Sequence, residues 1–114
     1  MKLAAGLIVG LTSWLGSPCL AQTGPTVVSM TNGGYPAHAF QRSGQGTASY
    51  TVEVNERGRA DKCIITQSSG WVDLDRETCK NLRQRTIFSP AKDKDGKAVR
   101  GTYSNKMRWA IPQD

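Results

Sequence analysis

Cysteines are the residues of this sequence with the most distinctive chemistry. The chain contains three, and Cys63 and Cys79 are the two that lie in its central part. Such a pair can form a disulfide, contribute to a metal site or act as a redox centre. The sequence has no CxxC motif and a single histidine, His38, so ligands for a zinc ion would be too few. We expect a disulfide between Cys63 and Cys79, and neither a metal ion nor another cofactor.

No set of residues is arranged for catalysis. His38 has no evident partner, and a lone histidine is more often a surface or core residue than a catalytic one. Asp73 and Asp75 are better explained as N-caps of a following helix, because a short carboxylate accepts hydrogen bonds from the free amides of a first helical turn. The sequence contains no Ser–His or Cys–His constellation, so we expect no enzymatic activity and no catalytic residue.

Residues 1–21 have the features of a secretory signal peptide. Met1-Lys2 is a short basic start, residues 3–15 are apolar and uncharged, and cleavage is predicted after Ala21, three positions from the small Cys19. The alternatives are an uncleaved inner-membrane anchor and a lipid attached to Cys19. Cleavage and export would remove Cys19 and place the other two cysteines in an oxidising compartment, which favours the disulfide.

The chain is basic, with a formal net charge of +6 and a sequence pI near 9.6. A basic surface attracts anionic polymers, anionic lipids and nucleic acid, although interleaved acids make much of this one an ordinary solvated face. For an exported protein we expect no nucleic-acid partner. The side chains that form the predicted basic face are Lys80, Arg83, Arg85, Lys92 and Lys94.

Hydrophobic patterns predict two strands joined by a hairpin. Residues 47–55 place apolar side chains on one face and polar side chains on the other. A turn follows, with Gly58 at the position that needs a positive φ, and the return strand covers residues 59–67. A short edge strand is also expected at residues 27–30, within a flexible lead-in of residues 22–34 that is poor in charge.

A helix and a last strand complete the domain, which we assign to residues 35–112. Residues of the helix recur at helical spacing, and they are Leu74, Thr78, Leu82 and Arg85. The helix is expected to end at Ser89, because the residue before a proline disfavours the α region. The last strand is predicted at residues 102–111. The order strand, strand, helix, strand predicts an α+β fold, a small antiparallel sheet with one helix packed on a face.

A series of different short motifs lies along residues 35–111. They are Tyr35-Pro36-x-x-Ala39, Gly44-x-Gly46, Gly58-Arg59, Ser68-Ser69-Gly70 before Leu74-Asp75, Leu82-Arg83-x-Arg85-x-x-Phe88-x-Pro90-Ala91 and Gly96. In this order and at these spacings they resemble the C-terminal domain of TonB, the family of periplasmic energy transducers. The resemblance implies the TonB/TolA C-terminal fold and a periplasmic location. Because the chain has no Pro-rich segment and no histidine in its leader, we expect a stand-alone domain rather than an energy transducer.

The resemblance also implies a function. In the TonB family this domain binds an extended segment of an outer-membrane receptor as a strand added beside its last strand, so we expect a non-catalytic module that binds a receptor or another envelope protein. An edge strand offers unpaired backbone groups to such a partner, or to a second copy in a homodimer. The alternative is a charge-driven binder of peptidoglycan or anionic lipid that uses the basic face. The partner-binding residues implied by the resemblance are Ser104, Asn105, Lys106, Met107 and Arg108.

Overall fold

The computed structural model describes residues 23–112, so the predicted signal peptide and its cleavage site lie outside the described residues. The elements in chain order are β1 (Thr26–Met30), α1 (Ala37–Gln41), β2 (Gly46–Val54), β3 (Ala60–Gln67), α2 (Val72–Gln84), β4 (Thr86–Ser89), β5 (Ala91–Lys92), β6 (Ala98–Val99) and β7 (Gly101–Trp109). They include the predicted series of strand, strand, helix and strand, and they confirm the α+β fold class.

Strand β2 is the centre of the main sheet and pairs antiparallel with β3 on one side and with β7 on the other. At the hairpin, the amide of Asn55 donates a hydrogen bond to the carbonyl of Arg59 at 2.9 Å, which directs the backbone of Asn55 toward β3. Successive residues of a strand direct their N–H and C=O groups to opposite sides, so Val54 and the other even-numbered residues of β2 direct theirs toward β7. The register between β2 and β7 has no irregularity. Even-numbered residues of β2 therefore bond to odd-numbered residues of β7.

The core lies on the face of the main sheet that the alternation predicted to be apolar. Val52 and Val54 are fully buried there, and Tyr50 is nearly so. Leu82 from α2 and Phe88 from β4 pack against the same side chains. Burying such side chains is the main favourable term in folding, and it explains why α2 lies across β2 and β3.

Cys63 on β3 and Cys79 on α2 form a disulfide, which confirms the predicted pairing. Their Cα atoms are 5.7 Å apart, within the usual range for a disulfide. The bond joins α2 covalently to β3, which is an outer strand of the main sheet.

Helix α2 ends earlier than the sequence predicted. It spans Val72–Gln84, so Ser89 does not end it, and the following Thr86–Ser89 forms β4 instead. Strand β4 pairs with β1 in a separate two-stranded sheet, and β1 is the short strand predicted near residues 27–30. The hydroxyl of buried Thr86 donates to the carbonyl of Asn81 at 2.9 Å, so it satisfies a backbone group at the end of the helix.

The start of α2 also differs from the prediction, because neither aspartate caps it. Trp71 occupies the cap position without a side-chain hydrogen bond. The carboxylate of Asp75 accepts hydrogen bonds from the amide and the hydroxyl of Ser69, both at 2.8 Å, and from the hydroxyl of Ser68. Burial raises the pKa of Asp75, but these hydrogen bonds outweigh it, and the pKa of the carboxyl lies below its ordinary value.

The lowered pKa of Asp75 makes the stability of the fold depend on pH. A carboxyl of this kind stabilises the fold above its unfolded-state pKa of about 4, and the contribution is lost as the pH falls through the lower folded value. The free energy of unfolding of the wild type should decrease as the pH falls below about 4. We expect a smaller decrease in Asp75→Asn, which has no carboxyl to protonate at this position. Urea unfolding at a series of pH values measures this. Asp95→Asn, in an exposed turn, is the control, and equal pH dependence in Asp75→Asn and wild type would contradict the assignment.

The disulfide should contribute a large part of the stability of so small a domain. We expect the double variant Cys63→Ser/Cys79→Ser to lower the free energy of unfolding by about 3 kcal/mol, because its unfolded chain is no longer restrained by a closed loop. Urea unfolding of the variant and of the oxidised wild type gives the difference. A loss below about 1 kcal/mol would show that the bond is not a significant restraint.

Candidate functional site

Strand β7 is an edge strand of the main sheet. One of its sides pairs with β2, and within residues 23–112 no strand pairs with its other side. Since the odd-numbered residues of β7 bond to β2, the even-numbered residues direct their amides and carbonyls away from the sheet. These are Thr102, Ser104, Lys106 and Arg108, and we call them the outer edge.

The five predicted partner-binding residues all lie on β7, but they differ in what they offer. Ser104, Lys106 and Arg108 belong to the outer edge, whereas the backbones of Asn105 and Met107 are directed toward β2. Four of the five side chains are exposed, and Met107 is half-buried between two apolar clusters. The structure brings these residues to one edge, and their role in binding stays a prediction.

Trp109 anchors the far end of β7 to the helix. Its indole N–H donates a hydrogen bond to Oγ1 of Thr78 at 2.9 Å, and both side chains are buried. The hydroxyl of Thr78 in turn donates to the carbonyl of Leu74 at 2.8 Å. The buried indole N–H and the buried hydroxyl of Thr78 thus both have hydrogen-bond partners. The anchor therefore combines burial of the apolar ring with a fixed orientation of the Trp109 side chain.

Tyr35 and Gly44, from the motifs before β2, support the same anchor. The ring of Tyr35 packs edge-on against Trp109 with centroids 5.2 Å apart, and its hydroxyl donates to the carbonyl of Gly44. A Cβ atom at Gly44 would lie 2.5 Å from the indole of Trp71, so the position has no room for a side chain. Buried Ala39 packs in the same cluster. These motif residues therefore position β7 without lying on its outer edge.

The predicted basic face is divided between two parts of the structure. Lys80 and Arg83 are exposed on α2, whereas Lys92 and Lys94 lie on β5 and in the turn that joins it to β6. On the outer edge, Lys106 and Arg108 form no ion pair with any acid among residues 23–112.

Arg85, the fifth member of the predicted basic face, is bound within the fold. It is partly buried, and its guanidinium donates to Oδ1 of Asn81 at 2.8 Å and to Glu77 at 3.4 Å. The guanidinium also lies directly over Gly33, where a Cβ atom would meet it at 2.4 Å. The amide of Gly33 shares the same acceptor on Asn81, at 3.2 Å. Arg85 thus holds the segment before α1 against the end of α2.

His38 has a partner that the sequence did not reveal. Its Nδ1 lies 3.3 Å from Oδ2 of Asp73, and its side chain is 66% exposed. The open cavity beside this pair is lined by Gly70, Trp71, Val72 and Arg76, none of which is a nucleophile. Within residues 23–112 no group of three or more His, Cys, Asp or Glu side chains is arranged to hold a metal ion. The pair is therefore a surface contact between α1 and α2.

Comparison with known protein families identifies the family of this chain. The family model for the C-terminal domain of the Gram-negative bacterial TonB protein matches residues 31–111. The chain belongs to the TonB C-terminal family. This makes it a TonB-like protein-interaction domain of the cell envelope, and the family is not a catalytic one.

The fold has a close counterpart among solved structures. It is similar to the solution NMR structure of the Pseudomonas aeruginosa TonB C-terminal domain, with a TM-score of 0.64 and 20% sequence identity. The match covers 79% of this chain and 89% of that chain, and at this identity it shows the fold. A search of curated proteins finds no match. None of the helices between residues 23 and 112 has the length and apolar character needed to cross a membrane.

The anchor of β7 predicts a strong effect of a small substitution. Thr78→Val keeps the shape of the side chain but leaves the buried indole N–H of Trp109 without an acceptor. We expect the free energy of unfolding to fall by about 1–3 kcal/mol, as for other buried donors that lose their partner. Urea unfolding measures the loss. Thr102→Val, on the exposed part of β7, is the matched control and should change stability by less than about 0.5 kcal/mol. Equal effects of the two substitutions would contradict the anchor.

Proposed function

We propose that the domain binds an extended segment of an outer-membrane receptor, or of another envelope protein, by adding it as a strand to the outer edge. The observation that carries this proposal is the row of outward backbone groups on β7 that no strand in the described chain pairs with. An added strand completes the ladder, and its backbone hydrogen bonds provide affinity. Membership of the TonB C-terminal family supports this class of partner.

Charge on the outer edge narrows the kind of segment that fits. Lys106 and Arg108 project from one face of β7, and their neighbours across the ladder are the neutral Ser49 and Thr47. Because no acid among residues 23–112 pairs with either cation, a partner strand with carboxylates on that face gains electrostatic complementarity. The proposal places the mature protein in the periplasm, where a receptor segment is accessible and the disulfide is stable.

The charge-driven alternative, binding to peptidoglycan or anionic lipid through the basic face, has less support. Lys80 and Arg83 share the exposed surface of α2, but the other predicted cations lie on a separate hairpin. Arg85 is hydrogen-bonded within the fold and partly buried. A polymer that binds by charge alone gains most from a continuous row of free cations. The outward backbone groups of the outer edge, by contrast, all lie on one strand.

A proline on the outer edge tests the strand-addition proposal. Ser104→Pro removes one outward amide and leaves the odd-numbered residues that bond to β2 unchanged. We expect it to weaken binding of TonB-box peptides from receptors of the same cell by about tenfold or more, since the loss of a ladder bond adds to the clash of the ring with the partner. NMR titration of the oxidised protein measures the affinity, and the amide spectrum shows whether the variant is folded.

Ser104→Ala is the matched control for this experiment. It removes the hydroxyl that lies 2.7 Å from Oγ1 of Thr51, as proline does, but it keeps the backbone amide. We expect peptide affinity within about twofold of the wild type, because the backbone row is intact. Peptide binding that Ser104→Pro leaves unchanged, or chemical-shift changes confined to α2 and the β5–β6 hairpin, would overturn the proposal.

A further inference from the structure

One amide of the outer edge is already occupied by a side chain. The N–H of Lys106 donates a hydrogen bond to Oδ1 of Asn105 at 2.9 Å. The other end of the same carboxamide donates from Nδ2 to the hydroxyl oxygen of Tyr103, also at 2.9 Å. Both ends of the Asn105 side chain are therefore engaged, and its orientation is defined. Along the described part of β7, the amides of the other outer-edge residues have no such side-chain acceptor.

Tyr103 provides a firm support for this arrangement. Its ring packs edge-on against Phe88 with centroids 5.5 Å apart and lies 6.4 Å from the ring of Tyr50. Phe88 and Tyr50 belong to the buried core. Because the phenol cannot move away without disturbing that packing, its hydroxyl holds Asn105 over the edge of the sheet.

We propose that Asn105 is a gate on the outer edge, and that a partner strand must displace its side chain in order to pair along the full length of β7. This inference rests on the proposed function. A strand added to β7 places one of its carbonyl groups at each outward amide. At Lys106 that carbonyl and Oδ1 of Asn105 compete for the same hydrogen atom. With the gate closed, the row of free donors is interrupted between Ser104 and Arg108.

The gate gives the exposed edge a means of discrimination. Any extended chain can use an unpaired edge strand, and folded proteins block such edges with charges or with altered backbone pairing. Lys106 and Arg108 provide charge, which opposes pairing with a second copy of the same edge. The Asn105 side chain adds a local competitor, and a segment that forms only a few bonds loses a larger share of its binding free energy to it than a segment that forms many. A segment that pairs along all of β7 replaces the hydrogen bond between Asn105 and the Lys106 amide with one of its own, and it forms further bonds to the other outward groups.

Substitutions at Asn105 test the gate with peptide affinity as the readout. Asn105→Ala removes the competitor, and we expect TonB-box peptides to bind about three- to tenfold more tightly, the effect of one net hydrogen bond. Asn105→Asp keeps the shape and makes the acceptor charged, which strengthens its bond to the Lys106 amide and should weaken binding of a peptide that carries no carboxylate. Tyr103→Phe keeps the ring but frees Asn105, and it should change affinity in the same direction as Asn105→Ala.

A second measurement needs no partner and separates this inference from the proposed function. Hydrogen exchange of the Lys106 amide, followed by NMR and corrected for intrinsic rates, should be slower than exchange of the Ser104 and Arg108 amides in the wild type. It should become equally fast in Asn105→Ala. If peptides bind neither protein, the proposed function fails while the exchange result still decides on the gate. Equal peptide affinities of wild type and Asn105→Ala, or an unprotected Lys106 amide in the wild type, would overturn the gate.

Discussion

Strand β2 can bond to only two neighbours, and this constraint determines the rest of the structure. Its backbone groups alternate between β3 and β7, and its inward side chains form the floor of the core. On one side, β3 is joined to α2 by the disulfide. On the other side, β7 receives bonds from β2 and has no second strand in the described chain. The edge proposed for binding is the side of the sheet on which the ladder is incomplete.

A sheet edge can act as a template for another strand only if it keeps its shape, and much of this small domain contributes to that. Trp109 fixes the end of β7 through its hydrogen bond to Thr78, and Tyr35 covers the indole from the side. Tyr103 is held by the core in the other half of the strand. The motif residues on which the resemblance rests, such as Tyr35 and Gly44, therefore support the proposed binding edge through packing.

Local patterns predict the parts of the fold whose partners lie nearby in the chain. Alternation at residues 47–55 and the turn at Gly58 define the β2–β3 hairpin, and the cysteine pair predicts the contact between β3 and α2. Strand β4 is different. Its residues Thr86, Ile87 and Phe88 favour a strand, but the spacing of the preceding residues equally suits a longer helix. The choice depends on pairing with β1, which lies far away in the sequence.

The site could be predicted only in part, for a related reason. The resemblance to a known family points to residues 104–108, but which of their backbone groups face outward depends on the register between β7 and β2, which no local pattern reveals. For the same reason the bond between Asn105 and Lys106 cannot be found in the sequence, because an asparagine beside a lysine is unremarkable until one knows that the amide faces away from the sheet. The division of the basic face likewise cannot be predicted from local patterns, because Lys92 and Lys94 lie on β5 and in the turn after it rather than on α2.

The disulfide also affects how the domain responds to proteolytic damage. Cys63 and Cys79 lie on either side of the loop between β3 and α2, in which Ser68 and Gly70 are exposed. Exposed loop tips are preferred sites of proteolytic cleavage. A single cut there would leave two fragments that remain covalently joined, with β3 and α2 still side by side. The nicked protein would keep all the strands of its main sheet, including β7, so a cleaved chain could still present the same edge.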